Sequence, residues 1–382
     1  MGNGPFLIFD THPIQYRSPL FRKVCAEDGT ARVYYFSGAF DGNKWWFKER
    51  GAIPTQTWEL PLTEGFPNEM LPFSGMPVAG RFRALRTLLE KQKPRAILLF
   101  GYYLIENWIL WFLCRRRGIA VVFLGETFQE DFTQLRTIVS RPLRRRFLAG
   151  LSKIVTIGTR NYRYYRGLGI GENVLVPGKY AVNNDFFFME PGAALAARTR
   201  IREALGIGPD EFVTLFVGRL FERKRPKDLF HIHNAMASGS YHTVVVGNGP
   251  QEEFMKELAK QTPRFHLVGF KNQGETREYY CAADVLCVPS EFETWGLVVN
   301  EAFCAGVPAV VSEDCGVAGD LVTPGETGFI FAVGDTEAAA RHIRHLKEGT
   351  WDAKAMGQKA KARVRDQFSL QQLADAVLTA SR

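Results

Sequence analysis

Short apolar runs rich in β-branched and aromatic residues alternate along this chain with segments of helical periodicity. In the first half FLIFD (6–10), VYYF (33–36), RAILLFG (95–101), AVVFLG (120–125), KIVTIG (153–158) and NVLVP (173–177) read as strands, and helical patterns fall near 16–27, 80–92, 104–117, 133–148 and 160–167. The plan repeats from 213, with strands near 213–218, 241–247, 265–269, 285–290 and 308–312. Continuous apolar runs, rather than alternating ones, indicate strands covered on both faces. Strand–helix alternation then predicts an α/β protein of two doubly wound, Rossmann-like parallel sheets. The segment PGKYAVNNDFFF (177–188) carries loop chemistry at Pro177, Gly178 and Asn183–Asp185, and an Ala-rich helix follows at 193–205. We expect domains at 1–188 and 189–366, with the final stretch 367–382 (helix 369–380) returning to the first. No short-period repeat or low-complexity tract appears.

Length and composition agree with two cores. At 382 residues the chain exceeds the size at which one core usually divides, and 46% hydrophobic with 13% aromatic content argues against disorder. No apolar run approaches the roughly 20 residues that span a bilayer, and MGNGPFLIFD enters a strand without the features of a secretory signal. Six cysteines (25, 114, 281, 287, 304, 315) sit in apolar contexts without metal-type pairing, which reads as free buried thiols in a reducing cytoplasm. The net charge of +8 is uneven: residues 1–190 hold 26 Lys and Arg against 16 Asp and Glu, and the remainder 22 against 24. Arg141, Arg144, Arg145 and Arg146, mixed with Leu and Phe, suit an amphipathic helix on an anionic membrane surface; the bland alternative is a solvated helix face. The aromatic interleaving of a nucleic-acid platform is missing, so no nucleic-acid partner is expected. The expected location is cytoplasmic, peripheral on the inner face of the membrane if those arginines bind lipid.

The stretch SEFETWGLVVNEAFCAGVPAVVS carries the most chemistry. A buried strand gives way to a helix opening at Gly296, with Glu293 in the turn and Glu301 on the helix, roughly 10 Å apart along one edge at 1.5 Å per residue. That span suits a sugar at one end and a ribose at the other. Backbone N–H groups around Gly296 and Leu297 lie between them at a positive helix end that can seat a diphosphate. VGRLFERKRP (217–226) follows the strand VTLFVG and sets Gly218, Arg219 and Lys224 in a loop ahead of Pro226, a cation pair suited to a diphosphate. Its bland alternative is a solvated basic turn.

These segments carry a resemblance. GRLFERK, VVVGNGPQEEF (244–254), FHLVGF (265–270), AADVLCVPSEFETWGLVVNEAFCAGVPAVVS and GETGFIF (325–331) resemble, in order and separation, the blocks of the retaining nucleotide-sugar glycosyltransferases of the GT-B fold, family four, glycosyl transferases group 1, with its Glu-x7-Glu signature. Over the first 190 residues the likeness rests on strand order and THPIQYRSPLFR. The resemblance implies two Rossmann-like domains facing a central cleft, the first for acceptor and the second for donor, with the C-terminal helix crossing back. It implies a retaining, hexosyltransferase-like transfer from a nucleoside diphosphate sugar to an acceptor hydroxyl of a glycan, glycolipid or natural product, with no cofactor and no metal. Arg219, Lys224 and Glu293 take the catalytic positions. Gly218, Val268, Gly269, Phe270, Ser290, Gly296, Leu297 and Glu301 take the donor-binding ones. CGVAGDLV replaces the usual Gly-Gly pair and acid with Gly316, Gly319 and Asp320.

The acceptor side departs from the family. His12, Pro13 and Gln15 stand where many relatives have a glycine-rich loop, and Glu126 where they often have histidine; His12, Gln15 and Glu126 are the acceptor-side candidates. His12 is a candidate cation near neutral pH. WWF (45–47) is either an aromatic acceptor or interface contact or a plug over the first core. A GT-B-fold nucleotide-sugar epimerase and a non-catalytic sugar-nucleotide-binding protein are the competing readings; GNGPQE (247–252) lacks the third glycine of a dinucleotide fingerprint, which weakens a dehydrogenase.

Overall fold

The computed structural model describes residues 4–36, 61–127, 135–236 and 239–382. They form two compact units: the described residues up to Tyr180 with Leu370–Arg382, and Ala181–Ser369. The WWF segment lies outside the described residues.

In the first unit the parallel sheet runs β3-β2-β1-β4-β5-β6-β7. Its strands are β1 (Phe6–Asp10), β2 (Arg32–Tyr35), β3 (Asn68–Met70), β4 (Ala96–Phe100), β5 (Ala120–Leu124), β6 (Lys153–Thr156) and β7 (Leu175–Pro177). Crossovers are helical: α1 (Ser18–Glu27), α2 (Val78–Gln92), α3 (Ile105–Arg117), α4 (Leu135–Ala149) and α5 (Thr159–Gly167). Every residue of β1 and β4 is buried, as unbroken apolar runs require when helices cover both faces. Phe9, Leu99, Phe123, Phe147 and Tyr165 share one core cluster; truncating such a ring to alanine costs about 3–5 kcal/mol. The strand order reverses between β1 and β4, and ligands of open α/β sheets bind outside the carboxyl ends of strands at such a point.

The second unit repeats the plan in the order β10-β9-β8-β11-β12-β13, reversing between β8 and β11. Its strands are β8 (Phe212–Val217), β9 (Tyr241–Val246), β10 (Phe265–Gly269), β11 (Val285–Val288), β12 (Ala309–Ser312) and β13 (Gly328–Phe331). Its helices are α6 (Asn184–Phe187), α7 (Pro191–Ala204), α8 (Pro226–Met236), α9 (Glu252–Gln261), α10 (Gln273–Ala282), α11 (Leu297–Cys304), α12 (Thr336–Lys347) and α13 (Ala353–Gln367). The final helix, α14 (Leu370–Ser381), belongs to the first unit, burying Leu373, Ala374, Val377 and Leu378, and Gln371 Nε2 donates to Glu27 Oε1 of α1 at 2.6 Å.

Three local differences from the sequence reading have physical causes. The stretch 177–188 is not all loop: α6 forms because the Asn184 side-chain amide donates to the carbonyls of Val364 and Phe368, both at 3.1 Å. The triplet of β3, Asn-Glu-Met, gives no apolar run, yet it pairs with β2 at the sheet edge. The strands expected to reach 158 and 290 stop at Thr156 and Val288, and the residues beyond enter the loops that hold polar groups. All six cysteines are free, and five are buried. Among the described residues no helix is long and apolar enough to cross a membrane.

Candidate active site

In the second unit the loops after β8 and β11 are fastened to each other and to their neighbours. The Gly218 N–H donates to the Val246 carbonyl at 3.0 Å, and the Leu220 N–H to the Asn248 carbonyl at 2.9 Å. This close approach is why glycine stands at 247: a Cβ there would lie 1.8 Å from the Gly218 carbonyl oxygen, at a φ of +143°. The loop then runs through a short turn, Glu222–Lys224, and the Arg223 carbonyl accepts the Glu291 N–H at 2.8 Å. The two loops from the strand-order reversal are therefore joined by a backbone bond.

On this frame Lys224 and Glu293 form an ion pair with both side chains mostly buried, at 16% and 18% exposure. Burial pulls the Lys224 ammonium down to about 8, with Arg223 acting in the same direction and Cys315 opposing it. Arg219 is half-buried, its guanidinium 5.1 Å from the centre of the Phe221 ring. Glu293 is itself pinned: its N–H donates to the Asp314 carbonyl at 3.2 Å, and its carbonyl accepts the Gly316 N–H at 2.9 Å. A Cβ at Gly316 would lie 2.3 Å from the Thr294 carbonyl oxygen, so Gly316 packs under the Glu293 turn. Gly296, at φ +107°, is the residue before α11, a conformation in which a side chain is strained.

Glu301 lies in α11, and the buried Tyr280 hydroxyl of α10 donates to its Oε2 at 2.6 Å. Burial raises the Glu301 carboxyl to about 7, and the Tyr280 hydrogen bond holds it from rising further. At the end of β10 a register shift between Leu267 and Gly269 leaves Val268, Gly269 and Phe270 half-buried, with the Gly269 carbonyl accepting the Gly247 N–H at 2.8 Å. Ser290, expected among the donor contacts, lies just beyond β11. It is fully buried, its carbonyl accepts the Ser312 hydroxyl, and its own hydroxyl points into the interior.

The first unit holds a second polar cluster, at the carboxyl ends of β1 and β5. Arg17, just before α1, is 8% exposed; its Nη1 donates to Asp10 Oδ1 at 2.7 Å and its Nη2 to Glu126 Oε1 at 3.1 Å. The Tyr180 hydroxyl donates to the same Glu126 oxygen at 2.6 Å, and the guanidinium lies 4.3 Å from the centre of the Phe100 ring. His12 contacts the Thr11 hydroxyl through Nδ1 at 2.8 Å. It is not poised as a cation: burial lowers its pKa and outweighs the nearby Asp10. The Gln15 Oε1 atom is buried without a hydrogen bond among the described residues.

The structure thus gathers Arg219, Lys224, Glu293, Gly296, Leu297 and Glu301 into the second unit and His12, Gln15 and Glu126 into the first. Tyr280, Asp10, Arg17 and Tyr180 escaped sequence reasoning. Their partners lie far off in sequence or carry no local pattern: Tyr280 meets Glu301 from 21 residues away, and the partners of Arg17 lie 7 and 109 residues away.

Two Rossmann-like sheets, each with a loaded reversal point, define the GT-B class of fold. Residues 197–363, which lie within the second unit, match the family described as glycosyl transferases group 1. It is 34% identical over 126 residues to an uncharacterized glycosyltransferase of Methanocaldococcus jannaschii, covering 30% of each chain. It is 29% identical over 153 residues to the alpha-monoglucosyldiacylglycerol synthase of Acholeplasma laidlawii, covering 39% of this chain and 38% of that one. The matched stretches thus span about a third of the length of these curated relatives. The crystal structure of Anabaena HepE in complex with UDP-glucose superposes with a TM-score of 0.73 at 16% identity, covering 99% of this chain and 100% of that one. This likeness carries the fold across the whole length.

Proposed function

We propose that the protein is a retaining glycosyltransferase that moves a sugar from a nucleoside diphosphate sugar to an acceptor hydroxyl. The observation that carries this reading is the joined pair of loops in the second unit. They hold a cation pair, Arg219 and Lys224, together with Glu293, while Glu301 stands on the adjoining helix. Arg219 and Lys224 bind the diphosphate and stabilise its charge as it leaves, the function a metal ion serves elsewhere. Glu293 accepts hydroxyls of the donor sugar, and the backbone at Gly296 and Leu297 touches sugar or phosphate. Glu301 accepts ribose hydroxyls, and Gly218 with the β10 end, Val268 to Phe270, meets the nucleoside. Ser290 supports this surface from beneath. UDP is the favoured nucleotide, since HepE was crystallised with UDP-glucose.

The departing phosphate oxygen accepts the acceptor proton on the face it leaves, so configuration is retained. Catalysis is then positioning and electrostatic stabilisation rather than a nucleophile–acid carboxylate pair. The acceptor hydroxyl belongs to the first unit, near His12, Gln15 and Glu126, and no metal is required. Arg141, Arg145 and Arg146 are exposed on α4 with Leu143, 54% exposed, among them, whereas Arg144 is half-buried and turns toward the Tyr102 ring. This basic face suits the anionic surface that a lipid-linked acceptor would occupy.

The test is incubation with UDP-glucose and related donors in the presence of chelator, with NMR assignment of the anomer formed. Release of UDP with an α-linked product from an α-linked donor supports the reading. A new nucleotide sugar made without acceptor points to an epimerase and overturns it.

A further inference from the structure

We propose that Tyr280 is the positioning residue for ribose recognition, and that through it the donor site accepts ribonucleoside diphosphates and excludes 2′-deoxyribonucleoside diphosphates. The proposal rests on the assignment of Glu301 to the ribose and deepens it.

The geometry is local to α10 and α11. Asn272 and Glu275 close a capping box at the start of α10, the Asn272 side chain accepting the Glu275 N–H at 3.0 Å and the Glu275 carboxylate the Asn272 N–H at 3.2 Å. This fixes the first turn of the helix that carries Tyr280. Tyr280 has no exposed surface, and its ring packs edge-on against Phe187 with centroids 6.4 Å apart. Burial, Glu301 and its hydrogen bond all drive the phenol pKa well above its ordinary value, so the hydroxyl keeps its proton and acts as donor toward Glu301. One short bond to Oε2 fixes the torsion of the carboxylate. Oε1 has no hydrogen bond among the described residues.

A carboxylate has about four lone-pair sites. With one taken by Tyr280 and its plane held, the oxygens left on the ligand side match two neighbouring donors at fixed separation. The cis 2′,3′-diol of a ribose offers two; a 2′-deoxyribose offers one. A site built for a hydroxyl discriminates strongly against the analogue that lacks it, because the buried acceptor loses its donor. Without the Tyr280 bond the carboxylate rotates to follow a single hydroxyl, and the penalty for the missing one shrinks. Thymidine diphosphate sugars, which are 2′-deoxy, fall outside the donor class on this reading.

The experiment is calorimetric titration of the full chain with UDP and 2′-deoxy-UDP, with GDP and ADP and their 2′-deoxy counterparts in parallel. For the preferred base, wild type should bind the ribonucleotide about 10- to 100-fold tighter than its deoxy partner. Tyr280→Phe, which removes only the hydroxyl, should weaken the ribonucleotide several-fold and cut that ratio to about threefold or less; Glu301→Gln should also collapse it. A general loosening of the site would weaken both ligands and leave the ratio alone. An unchanged ratio in Tyr280→Phe, or equal binding of both ligands by wild type, overturns the proposal while leaving the donor site in place. Absence of binding by every ribonucleotide overturns the donor-site reading itself, and this proposal with it.

Discussion

Lys224 and Glu293 form an ion pair between the loops that follow β8 and β11, neighbouring strands at which the order of the second sheet reverses. The pair gives the two residues separable roles. Lys224→Ala removes a cation from the leaving group and should lower turnover a hundredfold or more, the usual consequence of deleting a preorganised charge partner. Glu293→Gln should also depress turnover, yet leave UDP affinity unchanged or improved, because the ammonium no longer has a competing carboxylate. Steady-state kinetics beside UDP calorimetry checks both; near-normal transfer by Lys224→Ala would refute the leaving-group role.

Donor affinity should depend on pH through two groups. Glu301 has its carboxyl raised to about 7 by burial, and its ionised form accepts hydroxyls best. Lys224 has its ammonium lowered to about 8 by burial, and its charged form binds diphosphate. Affinity for UDP should therefore rise as pH climbs through 7 and fall as it passes 8. Glu301→Gln should flatten the acid limb and Lys224→Arg the alkaline limb. Calorimetry between pH 5.5 and 9.5 measures both limbs, and a profile flat in wild type contradicts the assignment.

Arg17 should matter to the first unit's stability. It is the buried counter-charge of Asp10, whose side chain has no exposure, and it also reaches Glu126. Arg17→Met strands a buried carboxylate and should cost about 3–5 kcal/mol, read as a lowered unfolding midpoint. Arg17→Met with Asp10→Asn should recover part of the loss, because the stranded charge is gone. Equal midpoints for wild type and Arg17→Met would show that the network contributes nothing.

The basic face of α4 gives a prediction about lipid. Replacing Arg141, Arg145 and Arg146 with glutamate should abolish sedimentation with vesicles containing anionic phospholipid, and raising salt should release the wild type. Donor binding should be untouched in that variant. Equal sedimentation of the two proteins would leave the arginines as an ordinary solvated face.

Much of this was legible in the sequence because parallel strands buried on both faces announce themselves as unbroken apolar runs; β1, β4, β9 and β11 fall at or within a residue or two of where those runs lie. Glu293 and Glu301 were visible because a turn and helix set their spacing locally. Elements held by tertiary bonds were not visible. The triplet Asn68–Met70 is a strand only through its partner β2, and α6 exists through bonds from Asn184 to the far end of α13. The same limit hid Arg17 and Tyr180, which meet Glu126 from 109 and 54 residues away. It also hid the lowered pKa of His12, which follows from burial that no local pattern reports.

The most direct test of the account is a crystal structure of the protein soaked with the nucleotide sugar that most raises its melting temperature, since a ligand that binds the folded state stabilises by mass action. The account predicts a diphosphate in contact with Arg219 and Lys224, the sugar hydroxyls on Glu293 and the ribose on Glu301. A donor bound away from those four side chains would contradict it.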